Sequence, residues 1–325
     1  MRLLILTPAK AGSTRGNRIT ANRWQKILIE LGHQTVIKTQ VQDLSLSKFD
    51  ALITLHATRS FDGIQRFKEA NSNRPVYLCI TGTDLYRDLS KTNSRSSERA
   101  LAAMSMADHL IFLEPEGIRK LPKELQGKTS VIYQSASPVR AATPPLKRSF
   151  EMTILGHLRP EKDPFLAAKA CELLPEDSKI KVFQLGEALS TSMASKASRL
   201  SDSISRYQWL GSLPHGKAMR RLKRSKLMLL TSLMEGAPSV ISEAVVNGVP
   251  ILASKIPATI GLLGSNYPGL FPVGDAKCLA KLMSLAESDR QFFASLKQAI
   301  HNRRGLFKYS TECQAWKKLL GQAKT

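Results

Sequence analysis

At 325 residues the chain is long enough for two domains that each bury a core, and 48 lysines and arginines against 26 aspartates and glutamates give a net charge of +22, a field that concentrates anionic partners. Its four cysteines, Cys79, Cys171, Cys278 and Cys313, include no Cys-x-x-Cys pair, which speaks against a metal site; they read as small buried residues of a cytoplasmic protein. The apolar start, Leu3 to Leu6, is too short for a signal peptide or a membrane span.

Arg2 to Thr7 predicts a short strand, and Pro8 to Arg18 a cationic, glycine-bearing loop before a helix from about Ile19 to Leu31. Gly32-His33 ends that helix ahead of a strand near Thr35 to Ile37. The loop carries neither Gly-x-Gly-x-x-Gly nor Gly-x-x-x-x-Gly-Lys, which argues against a dehydrogenase or a nucleoside triphosphatase. Gly12, Gly16 and Asn17 leave the backbone open to close approach, while Arg15 and Arg18 supply paired guanidinium groups for a dianion. Leu52 to Arg59, Val76 to Arg87 and Ser130 to Ala136 each end a strand in polar residues. Such ends converge on one crevice of an open parallel sheet, so His56, Arg59, Thr81, Asp84, Arg87 and Gln134 are candidates for an acceptor site.

Proline and charge interrupt the apolar pattern between Pro138 and Arg148, the natural connection between two domains. A strand follows at Glu151 to Leu155, then a loop from Gly156 to Pro164, then a helix from about Phe165. Strands ending in Gly186 and Gly211 come next, and His215 opens a strongly basic helical run to Lys226. Leu227 to Ser232 reads as a buried strand, Ser239 to Val246 as a helix stopped by Asn247-Gly248, and Ile251 to Ala253 as the next strand. This strand-loop-helix-strand unit aims the free amides of the helix start, with Gly236, Ala237, Pro238, Ser239 and Val240 around them, at the carboxyl edge of a sheet, where a diphosphate fits. Taken alone, Gly236 and Pro238 can equally shape a turn flanked by solvated Glu235 and Glu243.

The run Glu235-Gly236-Ala237-Pro238 to Glu243-Ala244 has the form Glu-Gly-x-Pro-x-x-x-x-Glu-Ala and resembles the signature of GT-B glycosyltransferases, specifically glycosyltransferase family four. The resemblance implies an α/β chain of two facing Rossmann-like domains with parallel sheets and a cleft between them: residues 1–147 for the acceptor, 148–309 for the donor, and a helix at 310–325 crossing back. It further implies that Glu243 binds the donor ribose and that Glu235 lies near the transferred sugar. The family form Gly-Arg-Leu-x-x-x-Lys-Gly, whose cations grip the donor diphosphate, is matched at Lys162. His157 stands for its arginine and Asp163 for its glycine, so Arg159 is the available second cation beside Lys162.

Together with Gly12 to Arg18, Thr81 to Tyr86, Tyr133 to Ala136 and Gly156 to Pro164, the chain resembles a narrower group, the selenosugar synthases of selenoneine biosynthesis. That resemblance implies attack of selenophosphate on the anomeric carbon of UDP-N-acetylglucosamine or UDP-glucose, without metal or other cofactor. An already anionic selenium needs no general base, but it needs a cationic pocket, for which Arg15, Arg18, Arg59 and Arg87 are available. Asp84 or His56 would orient the water that cleaves the phosphorus–selenium bond. Family four members usually retain configuration, whereas the selenosugar resemblance implies inversion. The basic run from His215 to Lys226 keeps peripheral contact with anionic lipid open, as in a conventional transferase with a lipid or cell-envelope acceptor. It also keeps nonspecific nucleic-acid binding open, while no specific nucleic-acid partner is expected.

Overall fold

Short apolar runs separated by amphipathic helices build both halves of the chain. In a computed structural model that describes residues 1–13, 16–90, 94–140 and 148–322, two compact units form. Unit 1 is Met1–Gln134 with Tyr309–Thr325, and unit 2 is Ser135–Lys308. The division expected at 147/148 touches residues outside those described.

Unit 1 contains β1 (Arg2–Leu6), α1 (Gly16–Glu30), β2 (Gln34–Lys38), β3 (Ala51–Leu55), α2 (Ala57–Ala70), β4 (Val76–Cys79), α3 (Arg95–Met106), β5 (His109–Phe112), α4 (Lys123–Gln126) and β6 (Thr129–Val131). All pairings are parallel, in the order β2-β1-β3-β4-β5-β6. Helices cover both faces, so the strands are apolar at successive positions. Leu3, Ile5, Ile53 and Leu55 pack with Trp24 and Ile27 of α1, whereas Leu4, Leu6 and Leu52 pack with Ile64 and Phe67 of α2 on the other face. The first helix begins at Gly16, not near Ile19. Apolar periodicity reports where a helix first meets the core, and the polar turn Gly16-Asn17-Arg18 precedes that point.

Unit 2 contains β7 (Phe150–Leu155), α5 (Leu166–Glu172), β8 (Ile180–Leu185), α6 (Thr191–Ser203), β9 (Tyr207–Trp209), α7 (His215–Arg224), β10 (Leu227–Leu230), α8 (Ser239–Asn247), β11 (Ile251–Ser254), α9 (Pro257–Leu263), β12 (Leu270–Phe271), α10 (Ala276–Ser288) and α11 (Arg290–Arg303). Its parallel order is β12-β11-β10-β7-β8-β9. Gly248 stops α8 with φ 70°, its amide bonded back to Ala244 and Val245.

The last helix, α12 (Tyr309–Gln322), belongs to unit 1. Trp316 is fully buried and meets Trp24 edge-on with ring centroids 4.8 Å apart. Buried Glu312 accepts from Trp24 Nε1 at 3.0 Å and from Arg23 Nε at 3.1 Å. Each buried leucine or aromatic of this helix stabilises the unit by roughly 1.5–3 kcal/mol. Both units are doubly wound, Rossmann-like α/β folds. Cys79 and Cys171 are buried as expected, but Cys278 and Cys313 are only half-buried, on the amphipathic helices α10 and α12.

Candidate active site

In a doubly wound sheet, the order of strands reverses at one point, and the loops leaving the carboxyl ends there open a crevice for ligands. In unit 2 that point lies between β7 and β10, which pair directly. The loops following them are the ones that carry the sequence motifs. Their backbones are tied together: Leu233 N donates to Glu161 O at 2.8 Å, and Thr231 Oγ1 donates to Lys162 O at 2.9 Å and Asp163 O at 3.0 Å. Lys162 Nζ thereby reaches Glu235 Oε1 at 2.5 Å, and Ser232 Oγ donates to the same oxygen at 2.8 Å.

Backbone close to the site requires glycine at two positions. Gly156, with φ 155°, leaves room for the stem of Lys162, and Gly186, with φ 150°, lies directly against the Gly156 carbonyl. Asp163 occupies the family's second glycine position and adopts the left-handed conformation, φ 38° and ψ 61°. A conformation that favours glycine is thus held here by an aspartate. Burial raises the Asp163 carboxyl above its ordinary range, against the lowering effect of Lys169 and Lys196.

Pro238 precedes α8 in extended conformation, so the first-turn amides at Ser239 and Val240 have no carbonyl of their own helix to bond. Gly236, Ala237, Ser239, Val240 and Glu243 are half-buried. His157 is half-buried, and its Nδ1 is shielded without a hydrogen-bond partner among the described residues; Arg159 is exposed. The structure brings Lys162 and Glu235 together. It also adds Ser232 and Thr231, which sequence reasoning passed over, although two hydroxyl residues directly after an apolar strand at a crevice were the available signal.

In unit 1 the reversal lies between β1 and β3. After β1, Gly12 has φ 76° and is exposed, Gly16, Asn17 and Arg18 open α1, and Arg15 lies outside the described residues. Arg18 Nε is shielded without a partner among the described residues. After β3, His56 takes φ 77° before α2 and points Nδ1 to within 2.7 Å of Asp84 Oδ1. The contact lacks hydrogen-bond geometry, and neither ring nitrogen has a hydrogen-bond partner among the described residues. Asp84 also accepts from Thr81 N at 2.8 Å, Thr81 Oγ1 at 2.7 Å and Thr58 N at 3.4 Å. Asp84 to Asp88 form a π-helical turn. Asp88 accepts from Thr58 Oγ1 at 2.7 Å and Arg87 Nε at 3.1 Å.

Ligand atoms of His56, Asp84 and Asp88 lie within 4.8 Å of one another. Their carboxylates are already engaged by Thr58, Thr81 and Arg87, which makes the cluster a hydrogen-bonded network that orders the loops. Arg59 and Arg87 are exposed, while His56, Asp84 and Gln134 are buried. At the end of β5, buried Glu114 accepts from Glu116 N at 2.7 Å and Gly117 N at 2.9 Å. Burial pushes its carboxyl up to about 7 despite those amides.

Anabaena Alr3699/HepE, solved in complex with UDP, is 17% identical, with a TM-score of 0.78 over 99% of this chain and 100% of that one. Sucrose-phosphate synthase from Thermosynechococcus elongatus is 15% identical, with a TM-score of 0.77 over 99% of each chain. These likenesses show the GT-B fold. Glycosyltransferase 1 domain-containing protein 1 of Xenopus tropicalis is 22% identical over 332 residues, 93% of either chain. The family of glycosyl transferases group 1 matches residues 138–304, which include both switch-point loops of unit 2 and just over half of the chain. The chain therefore belongs to the glycosyl transferases group 1 family and is a glycosyltransferase.

Proposed function

We propose that this glycosyltransferase is a selenosugar synthase, which transfers a hexose, N-acetylglucosamine or glucose, from its UDP donor to selenophosphate. Unit 2 takes the donor. Lys162 and the first amides of α8 neutralise the diphosphate without a metal, Arg159 closes on it from the exposed turn, and Glu243 holds the ribose. Support comes from Lys162 standing at the β7/β10 reversal, and from HepE, solved in complex with UDP and, in a second structure, with UDP-glucose.

One observation favours an anionic nucleophile. His56, the natural proton acceptor of the acceptor unit, has both ring nitrogens shielded from solvent, whereas Arg59 and Arg87 are exposed. A hydroxyl acceptor needs help losing its proton; selenophosphate needs only cations, here Arg18, Arg59 and Arg87 with Arg15. Selenium attacks the anomeric carbon, the Se–C bond forms, and the bond from that carbon to the β-phosphate oxygen breaks with its electron pair leaving on UDP. Water then adds to phosphorus and the P–Se bond breaks, giving phosphate and the selenosugar, with the water's protons shared between them. His56 and Asp84 hold the Thr81 loop in place for that step.

The test is incubation of the purified protein with UDP-N-acetylglucosamine, with and without selenophosphate, and mass spectrometry of the products. UDP, phosphate and a selenosugar formed only with selenophosphate support the reading, and UDP release that ignores selenophosphate refutes it. A second reading, transfer to a hydroxyl on a lipid or envelope glycan, is favoured by the exposed His215, Lys217 and Arg220 on α7, which suit an anionic lipid surface. It requires UDP release only with a hydroxyl acceptor or a membrane extract. No helix among the described residues is long and apolar enough to cross a membrane.

A further inference from the structure

We infer that Glu235 is an internal counter-ion, held on Lys162 until the donor diphosphate displaces it. The inference rests on the donor reading of unit 2. The Lys162 and Glu235 side chains are only 17% and 10% exposed, and their 2.5 Å contact leaves the ammonium already paired before any phosphate arrives. Glu235 is itself positioned, because Ser232 Oγ donates to the same Oε1 at 2.8 Å from a buried site. The lysine stem crosses Gly156 so closely that a Cβ there would lie 3.0 Å from Cδ and 3.3 Å from Cε. With the two loops tied through Leu233, Glu161 and Thr231, the pair separates by exchange of side-chain partners rather than by parting of the loops.

A carboxylate on the ammonium weakens its hold on a singly charged phosphate. As the bond to the anomeric carbon breaks, the terminal phosphate gains a second charge and competes better for Lys162. The contact then strengthens towards the transition state, which is the condition for acceleration rather than mere binding. Afterwards, Glu235 takes the ammonium back and assists release of UDP. Glu235 and Ser232 act on the leaving group through Lys162 and are in this sense positioning residues.

The experiment is calorimetric titration of UDP and UMP into the full-length wild type, E235Q and S232A, with steady-state turnover measured alongside. Removal of the competing charge is expected to tighten UDP binding of E235Q roughly fivefold or more. UMP, lacking the terminal phosphate, gains less. Turnover falls together with KM because UDP leaves slowly, and S232A moves the UDP affinity the same way by a smaller factor. If wild-type protein binds no UDP, the donor reading itself fails. If the wild type binds UDP but E235Q binds it equally or more weakly, or gains as much for UMP, the counter-ion role alone is overturned. Should E235Q not fold, as read by circular dichroism, unchanged or weaker UDP binding by S232A overturns it.

Discussion

A Cβ placed on Gly186 would stand 1.9 Å from the carbonyl oxygen of Gly156 and 2.8 Å from the amide nitrogen of His157. The end of β8 thus supports from beneath the loop that presents Lys162, and backbone against backbone leaves nothing flexible to yield. Gly186→Ala is expected to cost about 2–4 kcal/mol and to weaken UDP binding at least roughly tenfold. Urea unfolding and calorimetry check both; wild-type stability in the alanine variant would refute the contact.

Asp163 sustains its left-handed conformation because a short polar side chain tolerates it better than a branched one. Asp163→Gly is expected to stay within about 1 kcal/mol of wild type, relief of strain offsetting the freer unfolded chain. Asp163→Val should lose about 2 kcal/mol or more. Melting temperatures of the two variants, measured side by side, decide the matter, and equal values would show that the backbone angle is not what the position demands.

Glu114 gives unit 1 a pH-dependent stability. Its carboxyl is raised by burial to about 7 in the folded chain against an ordinary value of 4.5, so the folded state binds the proton more tightly. That contribution is fully present below the unfolded value and is lost as pH rises through about 7. Glu114→Gln should flatten this dependence, leaving a smaller fall in stability between acid and neutral pH than wild type shows. Denaturation midpoints across that range provide the measurement, and parallel curves would exclude Glu114 as the source.

Glu243 lies one turn into α8, half-buried behind the first-turn amides. If it holds the donor ribose, Glu243→Ala should weaken UDP about tenfold or more. Isothermal titration at fixed salt is the appropriate check, because a net charge of +22 makes anion binding sensitive to ionic strength. Undiminished affinity would remove Glu243 from the site.

The strands were legible because both sheet faces are covered, which leaves unbroken apolar runs such as Leu3 to Leu6 and Leu227 to Leu230. The end of α8 was equally legible from Asn247-Gly248, since a left-handed cap is a local matter. The Lys162–Glu235 contact was not: 73 residues separate the partners, and only the adjacency of β7 and β10 joins them. The same holds for His56 and Asp84, whose burial follows from the neighbouring ends of β3 and β4. Ser232 and Thr231 escaped notice because a hydroxyl's role depends on what faces it, which no periodicity records.

Because Trp316, Leu319 and Leu320 complete the same core as Leu3, Ile5 and Trp24, the amino-terminal unit lacks a wall until the chain has been made as far as residue 320. The carboxyl-terminal unit, contiguous in sequence, emerges whole beforehand. A chain interrupted before Trp316 would therefore leave the first-made half of the enzyme without that wall.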